Sequence, residues 1–235
     1  MATQYANGKI VTDGLVLALN AADKNSYPGS STTWSDTSGN GKNATLSNGP
    51  GFSTQFGGTI TFDSVDDYGS AGNLGSGFST FTVEIWFKSD SVTNYRNPID
   101  CNFLIENGSY SNLGPRLEQA TGGNLTWVVG SGNDVYAGLT IVSSGLSSAP
   151  VHYAAITKTS ASNFNGYYNG NYVTNLSFSN WPGSMSDVNI GRGFSTSSER
   201  WFLGNIPAVR IYNRALSNAE IAQNYNAQKS RFGLK

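Results

Sequence analysis

The stretch FTVEIWFK, residues 81–88, alternates apolar side chains with three polar ones and a tryptophan without interruption. Successive side chains of a β-strand point to opposite faces, so its four odd-numbered residues, all apolar, share one face. We expect that face to pack in a core between two sheets. The opposite face carries Glu84 and Trp86, and we expect it to meet either solvent or a covering loop.

Similar short runs recur along the chain and are separated by Gly, Asn, Ser and Asp. Roughly ten strands at this spacing predict an all-β fold, an antiparallel β-sandwich. We predict one domain over residues 14–235, preceded by an N-terminal arm over residues 1–13. The predicted strands are Gly14–Leu19, Thr59–Phe62, Phe81–Lys88, Phe103–Glu106, Leu125–Val129, Leu139–Val142, Val151–Thr157, Gly166–Tyr168 with Tyr172–Thr174 as a hairpin around Asn169-Gly170, Val188–Ile190 and Ile206–Tyr212.

One helix is predicted near the C-terminal end of the sequence. Ser217 and Glu220 have the spacing of a capping box, in which each side chain satisfies a free backbone amide of the first turn. Ile221 and Tyr225 then share a helix face. We expect the helix to end near Lys229 and to dock across one end of the sandwich.

Composition excludes several classes of function. The formal net charge is −1, so a basic surface for nucleic acid is not expected. The single cysteine, Cys101, and the single histidine, His152, exclude an internal disulfide and a multi-histidine metal cluster. No charged start followed by an apolar run suggests a signal peptide, and no run approaches the roughly 20 apolar residues of a membrane span. We therefore expect no membrane insertion.

An ordered series of motifs resembles a known family. It comprises WSDTSGNG at residues 34–41, ITFDSVDDY at 60–68, the strand at 81–88, VHYAAIT at 151–157, YYNG at 167–170 and the closing segment at 204–221. Over residues 14–226 the series resembles the laminin-G-like family of concanavalin A-like jelly rolls, which implies that fold. The family's closing strand carries an aspartate where Ile206 is followed here by Pro207 and Ala208, so a calcium site that uses this carboxylate is not carried over.

The segment 224–234 also resembles the ends of such domains in virion proteins of marine bacteriophages. This resemblance implies a protein of the virion, assembled in the host cytoplasm, with other capsid or tail proteins as partners.

Two catalytic alternatives are weak. Glucanases of this fold carry a Glu-x-Asp-x-Glu strand, whereas here Glu84 is followed by Trp86 and Lys88. Retaining glycosidases need two carboxylates about 5 Å apart. His152 has no nucleophile motif beside it, and a strand histidine packed against its neighbours is the better interpretation. We expect no enzymatic activity.

Two kinds of binding residue are predicted. A structural calcium ion would find oxygen ligands at Asp36, Asn40, Asp66 and Asp67, although the same residues can shape tight turns through backbone amides. Sugars would stack on aromatic rings in polar loops, for which the candidates are Trp181, Tyr95, Tyr110 and Tyr136. The alternative for each ring is packing, because most aromatic residues of a domain are buried.

The sequence therefore predicts a non-catalytic bacteriophage virion structural protein. Its role would be capsid decoration or a tail or fibre appendage that binds host cell-surface glycans. The alternative is a stand-alone bacterial carbohydrate-binding lectin module.

Overall fold

The computed structural model describes residues 9–235 apart from 93–94, 102, 107–108, 113, 131–134, 148–149, 180, 182–183, 186 and 196–197. The first half of this part holds β1 (Leu15–Asn20), β2 (Thr33–Trp34), β3 (Ala44–Ser47), β4 (Gly51–Ser53), β5 (Thr59–Asp63), β6 (Tyr68–Gly72), β7 (Gly75–Ser76), β8 (Phe81–Ser89), β9 (Arg96–Asp100), β10 (Phe103–Glu106) and β11 (Ser109–Asn112). The second half holds β12 (Pro115–Ala120), β13 (Asn124–Gly130), β14 (Tyr136–Val142), β15 (His152–Lys158), β16 (Asn163–Tyr168), β17 (Asn171–Ser177), β18 (Ser184–Met185), β19 (Val188–Ile190), β20 (Arg192–Ser195), β21 (Ser198–Trp201), β22 (Leu203–Tyr212) and the helix α1 (Asn218–Gln228). All ten predicted strand regions are confirmed to within a few residues.

Two antiparallel sheets form the predicted sandwich. The first sheet has the strand order β17-β16-β15-β8-β22-β5-β4, with β1 paired to β22. The second has the order β14-β13-β12-β9-β19-β6-β3-β2. A hairpin of β20 and β21 contacts β9 of the second sheet.

The core lies between the sheets, where β8 contributes Phe81, Val83, Ile85 and Phe87 as predicted. Large aromatic residues dominate its centre, and Trp127 of the facing sheet is fully buried there. Burial of apolar surface contributes about 25 cal/mol per Å², so this layer supplies most of the favourable free energy of folding.

The other face of β8 is covered by the helix rather than by a loop. Ser217 accepts a hydrogen bond from the Glu220 amide, and the Glu220 carboxylate accepts one from the Ser217 amide, so the predicted capping box is confirmed. Ile221 and Tyr225 pack on Trp86 and its aromatic neighbours. The helix therefore lies over the outer face of the first sheet, and the expected position across one end is wrong. The reason is that this face holds the apolar surface that the helix needs.

Residues 9–13 of the predicted arm lie against the helix. The Val11 amide donates to Oδ1 of Asn224 at 2.9 Å, and the Tyr212 hydroxyl donates to the Val11 carbonyl at 3.1 Å. Gln223 donates to the Lys9 carbonyl at 2.7 Å. Residues 1–8 of the arm lie outside the described residues.

The local backbone geometry explains how two departures from the family pattern are accommodated. Ser64 stands where the pattern has glycine, and its φ of 70° is in the left-handed region that glycine adopts without strain. Pro207 lies within β22, where the register to β8 shifts between Asn205 and Ala208. A bulge tolerates a residue without a backbone N–H inside a sheet.

Candidate functional site

The outer face of the second sheet carries a cluster of arginine and aromatic side chains. The guanidinium carbon of Arg192 lies 3.8 Å from the ring centroid of Tyr68 and 5.7 Å from that of Trp201. The guanidinium carbon of Arg200 lies 4.8 Å from the ring centroid of Tyr95. Guanidinium groups over aromatic faces hold these rings by cation–π attraction, worth about 0.5–2 kcal/mol each.

Polar side chains of the sheet bind both arginines, and Arg192 donates to Oδ1 of Asn189 at 2.7 Å. Arg200 forms an ion pair with Glu118, whose carboxylate also lies 3.6 Å from Nε of Arg116. Arg116 stands directly opposite Asp100 across β12 and β9. We call the set of Arg96, Arg116, Arg192, Arg200, Asp100, Glu118, Tyr68, Tyr95 and Trp201 the arginine–aromatic cluster. With four guanidinium groups and two carboxylates, it is cationic.

The hairpin of β20 and β21 brings Arg192 and Trp201 to this face. These two residues pair directly across the hairpin. The hairpin approaches β9 closely at Gly193, where an added Cβ would lie 2.4 Å from Cβ of Asn97. A side chain at position 193 would therefore push the hairpin away from the sheet.

Arg96 is the buried arginine that connects the cluster to its neighbouring segments. It is almost fully buried, and it donates to the Ser64 hydroxyl and, at 2.9 Å, to the Trp201 carbonyl. Removal from water lowers the pKa of the Arg96 guanidinium. Because the unperturbed value is far above neutrality, the group still carries its charge at pH 7.

The structure does not bring the four predicted sugar-binding aromatics together. The Tyr95 side chain belongs to the cluster and is 49% exposed. Tyr136 is 59% exposed, but it lies on β14, three strands from β9 in the sheet. It pairs with Gly130 of β13, which is level with the Asp100 end of β9, whereas Tyr95 precedes the Arg96 end. Strand spacing and rise put the two residues on the order of 25 Å apart.

The other two predicted sugar-binding aromatics are Trp181 and Tyr110. Trp181 donates its indole N–H to the Phe78 carbonyl at 3.0 Å, and its ring centroid lies 5.1 Å from that of Phe81. Packing against the core therefore accounts for its position. Tyr110 lies on β11, and its side chain is outside the described residues.

The predicted calcium ligands fall into two places. Asp36 accepts hydrogen bonds from the amides of Ala18, Ser38 and Lys42, while Asn40 donates to the Leu15 carbonyl. These bonds fix a loop to β1, as the turn alternative predicts. In the described part of the chain, the acidic group that could hold a metal ion consists of Asp63, Asp66 and Asp67, and Asp36 is not among them.

Within this group of three aspartates, the pKa of Asp67 is raised. Burial raises the pKa of its carboxyl, and the negative charge of Asp63 raises that pKa further. Its Oδ2 accepts the Asp63 amide at 3.1 Å. A cation would relieve the repulsion between these carboxylates.

Glu84, the catalytic alternative, is fully buried beneath α1. Its carboxylate accepts hydrogen bonds from the Tyr153 hydroxyl at 2.6 Å and from Nδ2 of Asn224 at 2.9 Å, and Nη1 of Arg210 lies 3.6 Å away. Loss of hydration raises the pKa of Glu84, while Arg210 opposes the shift. A side chain without solvent access cannot reach a glycosidic bond in this structure.

His152 is held in one tautomer by its two partners. Nε2 lies 2.8 Å from the Ser147 carbonyl, which only accepts, so Nε2 carries the proton. Nδ1 then accepts from the Tyr168 hydroxyl at 2.7 Å. Burial lowers the pKa of His152. The histidine is a packed strand residue, as the sequence suggested.

A model of the family Laminin_G_3, described as the concanavalin A-like lectin/glucanases superfamily, matches residues 62–222. The match spans more than half of the chain. The protein belongs to this family. The matched residues include the strands of the arginine–aromatic cluster, β8 and the start of α1. The resemblance read from the motifs is therefore confirmed, together with the jelly-roll sandwich that it implied.

Solved structures with a similar fold include binding domains of botulinum neurotoxins and of Paraclostridial Mosquitocidal Protein 1. The receptor binding domain of the botulinum neurotoxin C/D mosaic serotype has a TM-score of 0.71 at 20% identity, covering 93% of this chain and 52% of that one. The serotype D ligand binding domain in complex with N-acetylneuraminic acid gives 0.71 at 19%, covering 93% and 52%. The binding domain of Paraclostridial Mosquitocidal Protein 1 gives 0.69 at 17%, covering 95% and 56%.

The chain spans about half the length of those binding domains. At 17–20% identity, the similarity shows a shared fold and nothing further. A search of curated protein sequences gave no match. Within the described residues, the helices are too short or too polar to cross a lipid bilayer.

Sequence reasoning named Tyr95 but missed its partners. Arg192, Arg200 and Trp201 acquire their roles only once β20 and β21 pair. The polar run STSSE at residues 195–199, between apolar segments, was the available sequence signal for a break between two strands.

Proposed function

We propose that this protein is a non-catalytic binding module that holds glycans on the arginine–aromatic cluster. The observation that carries the proposal is the Tyr95 ring, half exposed and held beside Arg200 and Glu118. Sugars bind where an aromatic face meets charged hydrogen-bonding groups, since apolar C–H edges stack on the ring while hydroxyls bond the charges. The neurotoxin domain solved with N-acetylneuraminic acid supports a glycan as the ligand class.

We expect glycan binding to depend on Tyr95 and not on Tyr136. On a glycan array, the protein should bind with an affinity in the millimolar to micromolar range, about −4 to −8 kcal/mol. Tyr95→Ala should weaken binding by roughly tenfold or more, because truncation of an aromatic anchor costs about 2 kcal/mol. Tyr136→Ala is the matched control, an exposed tyrosine of the same sheet that lies far from the cluster.

The two variants decide the assignment of the face. Equal loss in both would remove the cluster from the binding site, and an array without any bound glycan would contradict the proposal as a whole. Release of reducing sugar from a β-glucan would contradict the non-catalytic part.

A bound calcium ion at Asp63, Asp66 and Asp67 belongs to the proposal as a structural element. These carboxylates supply hard oxygen ligands, as Ca²⁺ requires, and their mutual repulsion favours a cation. The array is therefore run with calcium and after chelation.

The biological setting that we propose is a bacteriophage particle, with the module as a capsid decoration or a tail or fibre appendage. This assignment rests on the resemblance of residues 224–234 to virion proteins. Mass spectrometry of purified virions tests it, and absence from the particle would favour the stand-alone lectin.

A further inference from the structure

A second site lies on the opposite side of the molecule, between the β16–β17 turn and the C-terminal helix. The groove has a volume of about 320 Å³ and is lined by the turn residues 169–171, by α1 and by Lys229 and Lys235. We propose that this groove binds a carboxylated monosaccharide. Ligand pockets of proteins begin at about 300 Å³, so the volume suits one sugar ring.

The floor of the groove is built and rigid. The Tyr225 ring stacks on Trp86 with centroids 5.5 Å apart and planes 10° from parallel. On the turn side, Gly170 has a φ of 77°, and an added Cβ would lie 2.7 Å from Cδ1 of Tyr225. The absence of a side chain at Gly170 therefore lets the turn lie directly against the tyrosine.

The side chains that line the groove carry a positive net charge. Nζ of Lys229 lies 5.9 Å from the Tyr225 ring centroid, and no carboxylate among the described residues pairs with Lys229 or Lys235. The lining contains no aspartate or glutamate. Two ammonium groups in a concave site favour an anion, as their attraction is less screened there than on an open surface.

The neutral groups of the groove suit sugar hydroxyls. Asn169 and Asn226 contribute carboxamides, which both donate and accept hydrogen bonds. Asn169 is fixed because its Oδ1 accepts the Tyr153 amide at 3.0 Å. The Asn226 side chain has no hydrogen-bond partner within the described part of the chain. A carboxylate on the lysines and hydroxyls on the amides together describe an acidic sugar.

The test compares two sugars that differ in one group. D-Glucuronate and D-glucose share the ring, and only glucuronate has a carboxylate at C6. Titration of the isotope-labelled full chain, followed by amide chemical shifts, should show millimolar binding of glucuronate, with shifts at residues 169–171 and 222–229 that persist in the Tyr95→Ala variant. Glucose should bind about tenfold more weakly, because it lacks the charged hydrogen bond. Added salt should weaken glucuronate binding.

Lys229→Gln should weaken glucuronate binding about tenfold. Lys24→Gln, at an exposed lysine outside the groove lining, changes the net charge equally and should leave binding intact. The unperturbed amide spectrum of each variant verifies folding. Equal affinity for the two sugars, acetate binding as tightly as glucuronate, the absence of shifts, or equal loss in both variants would each overturn the proposal. Tyr95→Ala should not affect glucuronate binding, so this result is independent of the glycan site on the second sheet.

Discussion

Trp86→Ala should lower the free energy of unfolding by about 3–5 kcal/mol, out of a total of about 5–15 kcal/mol for a domain of this kind. The side chain is fully buried between β8 and the C-terminal segment. Its ring centroid lies 4.3 Å from that of Phe232, 5.0 Å from Tyr153 and 5.5 Å from Tyr225. Truncation would leave a cavity beneath the helix and remove three aromatic contacts at once.

Urea unfolding, with the midpoint and slope measured separately, gives this free energy. Trp86→Phe keeps a ring in the stack and should lose much less. Val173→Ala, at an exposed strand position, should stay within about 0.5 kcal/mol of the wild type. A loss below about 1 kcal/mol for Trp86→Ala would mean that the helix does not cover this face.

Arg210→Met should destabilise the protein by about 3–5 kcal/mol at neutral pH, because it leaves the Glu84 carboxylate buried without its cation. Arg210 is almost fully buried, and it is the cation that faces Glu84. Tyr153 and Asn224 would still donate hydrogen bonds, but they carry no charge.

The penalty should depend on pH in a defined direction. Burial already raises the pKa of Glu84 above its usual 4.5, and loss of Arg210 raises it further. The folded state then binds a proton at pH values where the unfolded state has released it, so the stability of the variant falls as pH rises above the unfolded value. Relative to the wild type, the loss should be small below pH 4.5 and largest at neutral pH.

The double variant Glu84→Gln/Arg210→Met is the control for this account. Without a buried charge, it should recover most of the stability that Arg210→Met loses at neutral pH, while Tyr153 and Asn224 can still bond the amide. A pH-independent penalty, or a double variant as unstable as the single one, would contradict the assignment of a charged Glu84.

The sequence predicted those strands that show clean alternation, and it missed the strands that carry the candidate site. Phe81–Ser89 was predicted almost to the residue because one face is wholly apolar. By contrast, β9 has the sequence RNPID, and all five residues are buried. Its polar side chains are buried by partners distant in the chain, so no periodic pattern marks it as a strand.

The position of the helix illustrates the same limit. Ser217 and Glu220 determine where it begins, since capping is local. Ile221 and Tyr225 indicate an apolar face, but the surface that this face meets depends on Trp86, more than 130 residues earlier. Likewise, Tyr95 was recognisable as a tyrosine in a polar context, whereas its approach to Arg200 depends on the hairpin and the sheet together.

The glycan-binding face is tested most directly by hydrogen–deuterium exchange of the full chain, with and without the glycan that gives the strongest array signal. The proposal predicts slower exchange in β9 and β12, over Arg96–Asp100 and Pro115–Ala120, and in the β20–β21 hairpin, with β14 unchanged. Protection confined to β14 or to another surface, with these segments unaffected, would contradict it.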